Sequence, residues 1–276
     1  ITMTKMKAAD AVVKTLISAD VKHIFGIPIN FPLYESLYDH QDQIKHILTR
    51  HEEGAVFMAY GYSFITGNVG VCEGTSGPGM AHMVNGLAES TIDHMPIIAL
   101  AWARSTTDRY RNTSQMIDQM NMLEPVTKWS AELLEAELAT RITQDAIRIA
   151  KAYPPGAVHL DLLDNKLEEE ADFKILKPNN FEPSYRFAGD EEAVKKAAKM
   201  ILDSERPTML IGWGAMYSDA AQEVRELAEK IGMPVATSEK AKGIIPEDHP
   251  LSLGIWVTDG FPGLISATET LRKADV

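Results

Sequence analysis

Two short stretches of the sequence combine residue types that could do chemistry. The first is RHEEGAVFMAYGYSFITG, in which Glu52 follows an apolar run and begins a segment with apolar residues at helical spacing. A carboxylate at such a position is partly removed from water, which suits it to proton transfer. The same position also suits a first-turn acid that interacts with the helix dipole. Spacing alone leaves both interpretations of Glu52 open.

The second stretch is EGTSGPGMAHMVNGLAES, in which small residues separate a strand-like run from a helical pattern. Glycines let backbone N–H groups approach a ligand closely, and the start of a helix supplies further donors. The loop is not a Walker P-loop, because no Lys-Ser or Lys-Thr follows its last glycine. The candidate ligand-binding residues are Thr75, Ser76, Gly77 and Pro78. The alternative is a tight turn that binds nothing.

The sequence around Glu52 does not predict a metal site. A zinc protease needs a second histidine four residues after the first, and no histidine follows His51 at that spacing. We therefore predict no metal ligands in this chain.

The elements that must position these residues alternate as in repeated βα units, which predicts an α/β fold with a mainly parallel sheet. The predicted strands are His23–Gly26, His46–Thr49, Val69–Glu73, Ile97–Ala101 and Ala157–Asp161. The predicted helices are Ala8–Ser18, Pro32–Asp39, Glu53–Thr66, Gly79–Ser90 and Ala136–Ala152. We assign residues 1–163 to this first domain.

A change of composition separates the first domain from a second one. Residues 164–189 are rich in charge, proline and asparagine, which predicts a linker. Residues 190–276 predict a second α/β domain that is too short to be complete, and the chain also begins with Ile1, so we expect a fragment or a processed piece. The GWGA turn of this domain lacks the third glycine of a dinucleotide fingerprint, so a nicotinamide-dependent oxidoreductase is a weaker alternative.

Composition excludes some classes of partner. The chain has 276 residues and a net charge of −12, which argues against binding to a nucleic-acid backbone. Its one cysteine, Cys72, cannot form an internal disulfide and lies in the apolar run VGVC. No signal peptide and no apolar run of about 18 residues is present. We therefore predict a cytoplasmic protein that binds neither nucleic acid nor membrane.

Taken together, the two chemical stretches resemble a known family. HEEGAxxxAxGYxxxTG and GVxxxTSGPGxxHxxxGLAxxxxDxxPxxxL are similar to the pyrimidine-binding domain of thiamin-diphosphate-dependent enzymes close to acetolactate synthase. RPTMLIGWGA and LAEKIGMPVATSEKAKGIIPEDHPLSLG resemble the central domain of that family. The resemblance covers almost the whole chain except the linker. It implies a pyrimidine-binding domain followed by an incomplete central domain.

The resemblance also implies roles for the candidate residues. In this family the glutamate that matches Glu52 hydrogen-bonds N1′ of the cofactor's aminopyrimidine ring and stabilises its imino tautomer. By the same matching, thiamin diphosphate would contact Thr75, Ser76, Gly77 and Pro78. The implied reaction is decarboxylation or carboligation of a 2-oxoacid, as in acetolactate synthase.

The sequence departs from the family pattern in the implied substrate pocket. The family's FGxPGG turn is FGIPIN here, so Ile29 and Asn30 replace two glycines that flank the thiazolium ring. Trp102 and Ala103 replace a Gly-Gln pair, whereas Gln115 falls where the family places a glutamine beside the mouth of the active site. These changes would reshape the pocket. They keep open the alternative of a non-catalytic homologue, or of a regulatory or assembly subunit.

The resemblance further implies cofactors and a partner. The family's Mg²⁺ ion and diphosphate bind to a GDG-then-Asn stretch that this chain lacks, so we expect the chain alone to bind thiamin diphosphate weakly and to be inactive. FAD is a second candidate cofactor, because the central domain of acetolactate synthases holds a flavin, although GIWVTDGFPG departs from the pattern there. In this family the cofactor lies between two subunits. We therefore expect a homodimer or homotetramer, with an exposed apolar face around the helix that begins at Glu52.

Overall fold

The computed structural model describes residues 3–28, 31–108, 111–182, 188–256 and 265–276. The chain forms two compact units, Ile1–Tyr185 and Arg186–Val276. Two of the predicted pocket residues, Ile29 and Asn30, lie outside the described residues, and so does most of the stretch on which the flavin expectation depends. No helix in the described ranges has the length and apolar character needed to cross a membrane.

The described residues of the first unit contain eight strands. They are β1 (Thr4–Lys7), β2 (His23–Gly26), β3 (Lys45–Leu48), β4 (Gly70–Gly74), β5 (Ile97–Ala103), β6 (Trp129–Glu132), β7 (Ala157–Leu163) and β8 (Glu170–Phe173). Six of them form a parallel sheet in the order β3-β2-β4-β5-β7-β6. The central strands β4, β5 and β7 are buried along almost their whole length, and for this reason their sequences are nearly continuous apolar runs. The predicted α/β class with a parallel sheet is confirmed.

Helices cover both faces of this sheet. They are α1 (Ala8–Ser18), α2 (Phe31–Asp39), α3 (Glu52–Thr66), α4 (Pro78–Ile92), α5 (Gln119–Leu123), α6 (Ala139–Lys151) and α7 (Asp164–Glu168). On one face, side chains of α1, α2 and α6 form a single core with Val71 and other sheet residues. The neighbouring Gly70 faces the opposite side, where a β-carbon would lie 2.2 Å from the carbonyl oxygen of Ala59 in α3. The helices α3 and α4 pack against each other.

The structure differs from the predicted linker at its beginning. Residues 164–173 form α7 and β8, and β8 pairs antiparallel with β1 so that Phe173 lies opposite Thr4. The reason is that two apolar residues in this charged stretch, Leu167 and Phe173, are buried in the core of the first unit. Burial of these two side chains holds in place a segment whose composition is otherwise typical of a linker.

The second unit contains a three-stranded parallel sheet and four helices within the described residues. The elements are α8 (Glu191–Asp203), β9 (Met209–Ile211), α9 (Trp213–Tyr217), α10 (Ala221–Ile231), β10 (Val235–Thr237), β11 (Ser252–Ile255) and α11 (Ile265–Lys273). The strand order is β11-β10-β9. Gly212 precedes α9 in ordinary extended backbone, with open space where a β-carbon would be. A glycine is therefore not required at this position, which favours the interpretation of GWGA as a structural turn.

Candidate active site

Glu52 is the first residue of α3 and lies at the carboxyl edge of the parallel sheet. The preceding residue, His51, is the N-cap, and its Nδ1 accepts a hydrogen bond of 3.3 Å from the backbone N–H of Glu53. Only 6% of Glu52 is exposed, whereas the side chain of Glu53 is 38% exposed. Two adjacent acids of one helical turn therefore have different environments, and Glu52 is the one removed from water.

The side chain of Glu52 lies against the small-residue loop that follows β4. A β-carbon on Gly79 would lie 2.8 Å from Glu52 Oε1, and one on Gly74 would lie 3.4 Å from Glu52 Cγ. Real β-carbons essentially never come within 3.0 Å of a heavy atom outside their own residue and its chain neighbours. The carboxylate of Glu52 therefore occupies space that a side chain at position 79 would need. The structure thus brings together the two stretches that sequence analysis singled out.

The loop itself is held in a conformation that requires glycine. Gly77 has φ of 67°, and a β-carbon there would lie 2.3 Å from the carbonyl oxygen of Gln115. Pro78 then begins α4, where the missing N–H of proline costs nothing. Ser76 Oγ donates a hydrogen bond of 2.9 Å to the same Gln115 carbonyl. Thr75 Oγ1 is buried and has no hydrogen-bond partner in the part of the chain that the structure describes.

Gln115 lies next to this loop through its backbone. It has φ of 64°, an uncommon value for a residue other than glycine, and such conformations cluster at functional sites. Its side chain is exposed. The backbone carbonyl of Gln115, rather than its side-chain amide, makes the contacts with the loop, and its place beside the mouth of the active site stays a prediction.

A buried polar network holds the loop in place, and the sequence analysis missed it. Gln119 Oε1 accepts a hydrogen bond of 2.9 Å from the Gly77 N–H, and Gln119 Nε2 donates to Asp161 Oδ1 at 2.7 Å. Nε2 of His159 lies 2.7 Å from the same oxygen of Asp161. The available signal was the strand sequence AVHLDLL, where two polar residues with a spacing of two share one face of a buried strand.

His82 also lies at the site, although the sequence analysis did not assign it there. It lies in the second turn of α4, and its Nδ1 is 3.1 Å from Glu52 Oε2. The described contacts therefore place one carboxylate oxygen of Glu52 beside Gly79 and the other beside an imidazole.

Trp102 marks the departure from the family pattern at the end of β5. Its indole N–H donates a hydrogen bond to Asp164, and the guanidinium carbon of Arg104 lies 4.5 Å from its ring centroid. Burial raises the pKa of Asp164 above its ordinary value, although the indole hydrogen bond and the charge of Arg104 act in the opposite direction. Trp102 thus anchors the first turn after β7 to the end of β5.

A cleft of about 450 Å³ opens beside Ser76 of the small-residue loop. Its lining includes Ser76, Arg104, Arg111, Gln119 and Asp161, and it does not include Glu52. The lining mixes cations with carboxylates, so its charge does not select one class of ligand. The buried carboxylate, rather than this cleft, is the part of the site with distinctive chemistry.

Both units of the chain match known proteins. Residues 6–122 match the family model described as the N-terminal TPP binding domain of thiamine pyrophosphate enzymes, and residues 194–276 match the central domain of these enzymes. The chain is 38% identical, over 98% of its length, to a probable acetolactate synthase large subunit of Methanocaldococcus jannaschii, of which it covers 46%. It is 32% identical over its whole length to an acetolactate synthase of Mycobacterium bovis, of which it covers 44%. It is 34% identical, over 92% of its length, to a glyoxylate carboligase of Escherichia coli O157:H7, of which it covers 43%. The chain therefore spans about half the length of the curated relatives it matches.

Proposed function

This chain belongs to the thiamine pyrophosphate enzyme family, and from that premise we propose that it provides the aminopyrimidine-binding part of an active site that acts on 2-oxoacids. The reaction that we propose for the complete protein is decarboxylation or carboligation of a 2-oxoacid, similar to that of acetolactate synthase. The relatives named as acetolactate synthases and glyoxylate carboligase support this class of reaction.

The observation that carries the proposal is the burial of Glu52 against the small-residue loop. Only 6% of this residue is exposed, and its Oε1 approaches Gly79 so closely that a side chain there would displace it. A carboxylate without bulk water around it shares a proton with a neighbouring nitrogen base more readily than a solvated one does. This is the property that the proposed role requires.

Other residues of the site fit a bound heterocycle. Buried hydroxyl groups normally have a hydrogen-bond partner, and the buried Thr75 Oγ1 has none among the described residues, so a polar ligand atom would satisfy it. At the neighbouring Gly74, Gly77 and Gly79, the space that a β-carbon would occupy is already filled by other atoms of the chain, which pack the loop tightly around Thr75. Residues 75–78 would therefore bind thiamin diphosphate along this loop.

The chain's own contribution to the chemistry would be proton placement. When bound, thiamin diphosphate supplies a thiazolium carbon that can attack the carbonyl carbon of a 2-oxoacid. Glu52 would hold a proton between its carboxylate and N1′ of the aminopyrimidine ring, and its burial would exclude water from that hydrogen bond. The Gln119 and Asp161 side chains would hold the Gly77 turn, which would bind the cofactor, in position. The diphosphate and Mg²⁺ would bind to a GDG-then-Asn stretch of the complete protein.

We also propose that a second copy of the chain covers one face of α3. Apart from Thr66 in its last turn, the exposed residues of this helix fall on one stripe and are apolar or glycine: Gly54, Phe57, Met58, Gly61 and Ile65. Ile65 is 81% exposed, and Phe57 and Met58 are each 42% exposed. Such a stripe beside a catalytic carboxylate suits a homodimer in which the partner completes the site.

Substitution of Glu52 tests the proposed function in the complete protein. Glu52→Gln keeps the size of the side chain and removes its ability to hold a negative charge. Because general acid–base catalysis contributes about 10²–10⁴-fold, we expect turnover of 2-oxoacids to fall by at least about 100-fold. The measurement is steady-state turnover with saturating thiamin diphosphate and Mg²⁺.

Glu53→Gln is the matched control, because Glu53 is the adjacent acid of the same turn and hydrogen-bonds Asn85 on the surface. We expect it to turn over 2-oxoacids within a few-fold of the parent. A near-normal rate for Glu52→Gln would remove the proposed role of Glu52. A parent protein that binds thiamin diphosphate without turning over any 2-oxoacid would favour the non-catalytic homologue instead.

A further inference from the structure

The fold supplies a second histidine beside Glu52 that the local sequence lacks. His51 and Glu52 are adjacent at the start of α3, and α4 brings His82 to the same place. One ligand atom from each of these three residues lies within 4.8 Å of the other two. We propose that His51, Glu52 and His82 bind a divalent transition-metal ion of the zinc class when thiamin diphosphate is absent.

The spacing of two of the ligand atoms is the spacing that a shared ion requires. Zinc ligands stand about 2.0–2.1 Å from the ion in tetrahedral geometry, which puts neighbouring ligand atoms roughly 3.3 Å apart. The distance between His82 Nδ1 and Glu52 Oε2 is 3.1 Å. An ion could therefore replace the proton between these atoms with little movement of either side chain.

His51 would complete the set by turning its ring out of its present stack on His82. Its ring stacks on the ring of His82 with centroids 4.4 Å apart, and half of each side chain is exposed. This exposure gives the ion a route from solvent and lets both rings turn toward it. Glu52, which is buried, would be the fixed ligand.

The ligand types select the class of ion. Imidazole nitrogens suit zinc, copper and nickel, whereas magnesium prefers oxygen ligands and retains its waters. Two histidines and one carboxylate leave a fourth tetrahedral position for water, as in open zinc sites. This site would thus differ in chemistry from the magnesium site that the family's cofactor uses. Its occupancy in the absence of cofactor does not depend on the proposed function.

Zinc binding to the complete protein tests the proposal. The protein is freed of thiamin diphosphate, Mg²⁺ and other metals, and Zn²⁺ is titrated by calorimetry, with the number of ions per chain checked by equilibrium dialysis. The variants are His82→Asn and His51→Asn, each of which removes one ligand. Since even an outer-shell substitution costs about 10–100-fold in metal affinity, we expect each variant to bind Zn²⁺ at least about tenfold more weakly.

His94→Asn is the matched control for unspecific binding to surface histidines. His94 is exposed and has φ of 57°, a backbone conformation that asparagine also adopts readily. We expect this variant to bind Zn²⁺ as the parent does. Unchanged affinity in both His82→Asn and His51→Asn would overturn the proposal, and so would an equal loss of affinity in His94→Asn.

Discussion

Glu52 and His82 are thirty positions apart in the sequence and lie in hydrogen-bond contact in the fold. The sequence around each residue describes it correctly as far as it goes. Glu52 is a first-turn acid of α3, and His82 is a half-exposed helical residue. What decides their chemistry is that the two helices begin at the same edge of one parallel sheet. At the scale of residues, the site is therefore defined by a contact that spacing within either stretch does not contain.

The Trp102–Asp164 pair allows a prediction about pH. Burial raises the pKa of Asp164 above its ordinary value of 3.8, which means that the folded chain binds this proton more tightly than the unfolded chain does. The stability that Asp164 contributes is therefore present at low pH and is lost as the pH rises through the raised pKa. Asparagine accepts the same indole hydrogen bond without a charge.

We expect Asp164→Asn to be more stable than the parent near about pH 7, with a difference that shrinks toward about pH 3 as Asp164 becomes protonated. Urea denaturation of both proteins across this range measures the effect. A variant that is less stable than the parent at neutral pH would show that the charged form of Asp164 stabilises the fold.

At the scale of elements, the loop between β4 and α4 is positioned by contacts that leave no room for side chains. A β-carbon on Gly79 would lie 2.4 Å from Thr75 Cγ2 as well as 2.8 Å from Glu52 Oε1. The loop, the start of α4 and the carboxylate are thus packed as one piece. A small change in one of them should displace the others.

Gly79→Ala tests this packing. Alanine would favour the helix by up to about 1 kcal/mol in open space, but here its methyl group must displace Glu52 or Thr75. Because a misplacement of about 1 Å can cost about 10²-fold in rate, we expect a loss of turnover of this order without loss of folding. The control is Ala81→Ser, which adds one atom to the exposed side of the same turn. Equal turnover in both variants and the parent would contradict the packing argument.

The sequence predicted the bounds of an element best where the residues of that element alone carry the pattern of its secondary structure. The predicted bounds of α1 and β2 match the observed ones, because α1 has buried residues at helical spacing and β2 is a short run that is buried at three of its four positions. The strands β1 and β8 were missed because each is short and largely exposed and forms only by pairing with the other. Gln119 was also missed because its contacts are distant in the sequence. Its hydrogen-bond partners Gly77 and Asp161 are each 42 positions away.

At the scale of the whole molecule, the apolar stripe of α3 is the surface that a partner should cover. Met58→Glu places a charge in the middle of this stripe, which a dimer would have to bury without a counter-ion. Arg141→Glu is the control, because it introduces the same charge on α6, which packs on the opposite face of the sheet.

We expect sedimentation to give a dimer or tetramer for the complete parent protein and for Arg141→Glu, and smaller species for Met58→Glu. Circular dichroism would check that each variant is folded. The same mass for all three proteins would mean that another surface mediates assembly.

We propose that Glu52 activates thiamin diphosphate by sharing a proton with its aminopyrimidine ring. The most direct measurement is the rate at which the thiazolium C2 hydrogen of the bound cofactor exchanges with deuterated solvent, followed by NMR after rapid quenching. In the complete protein we predict that Glu52→Gln slows this exchange by at least about 100-fold while Glu53→Gln leaves it unchanged. Exchange in Glu52→Gln at the rate of the parent would mean that Glu52 does not activate the cofactor.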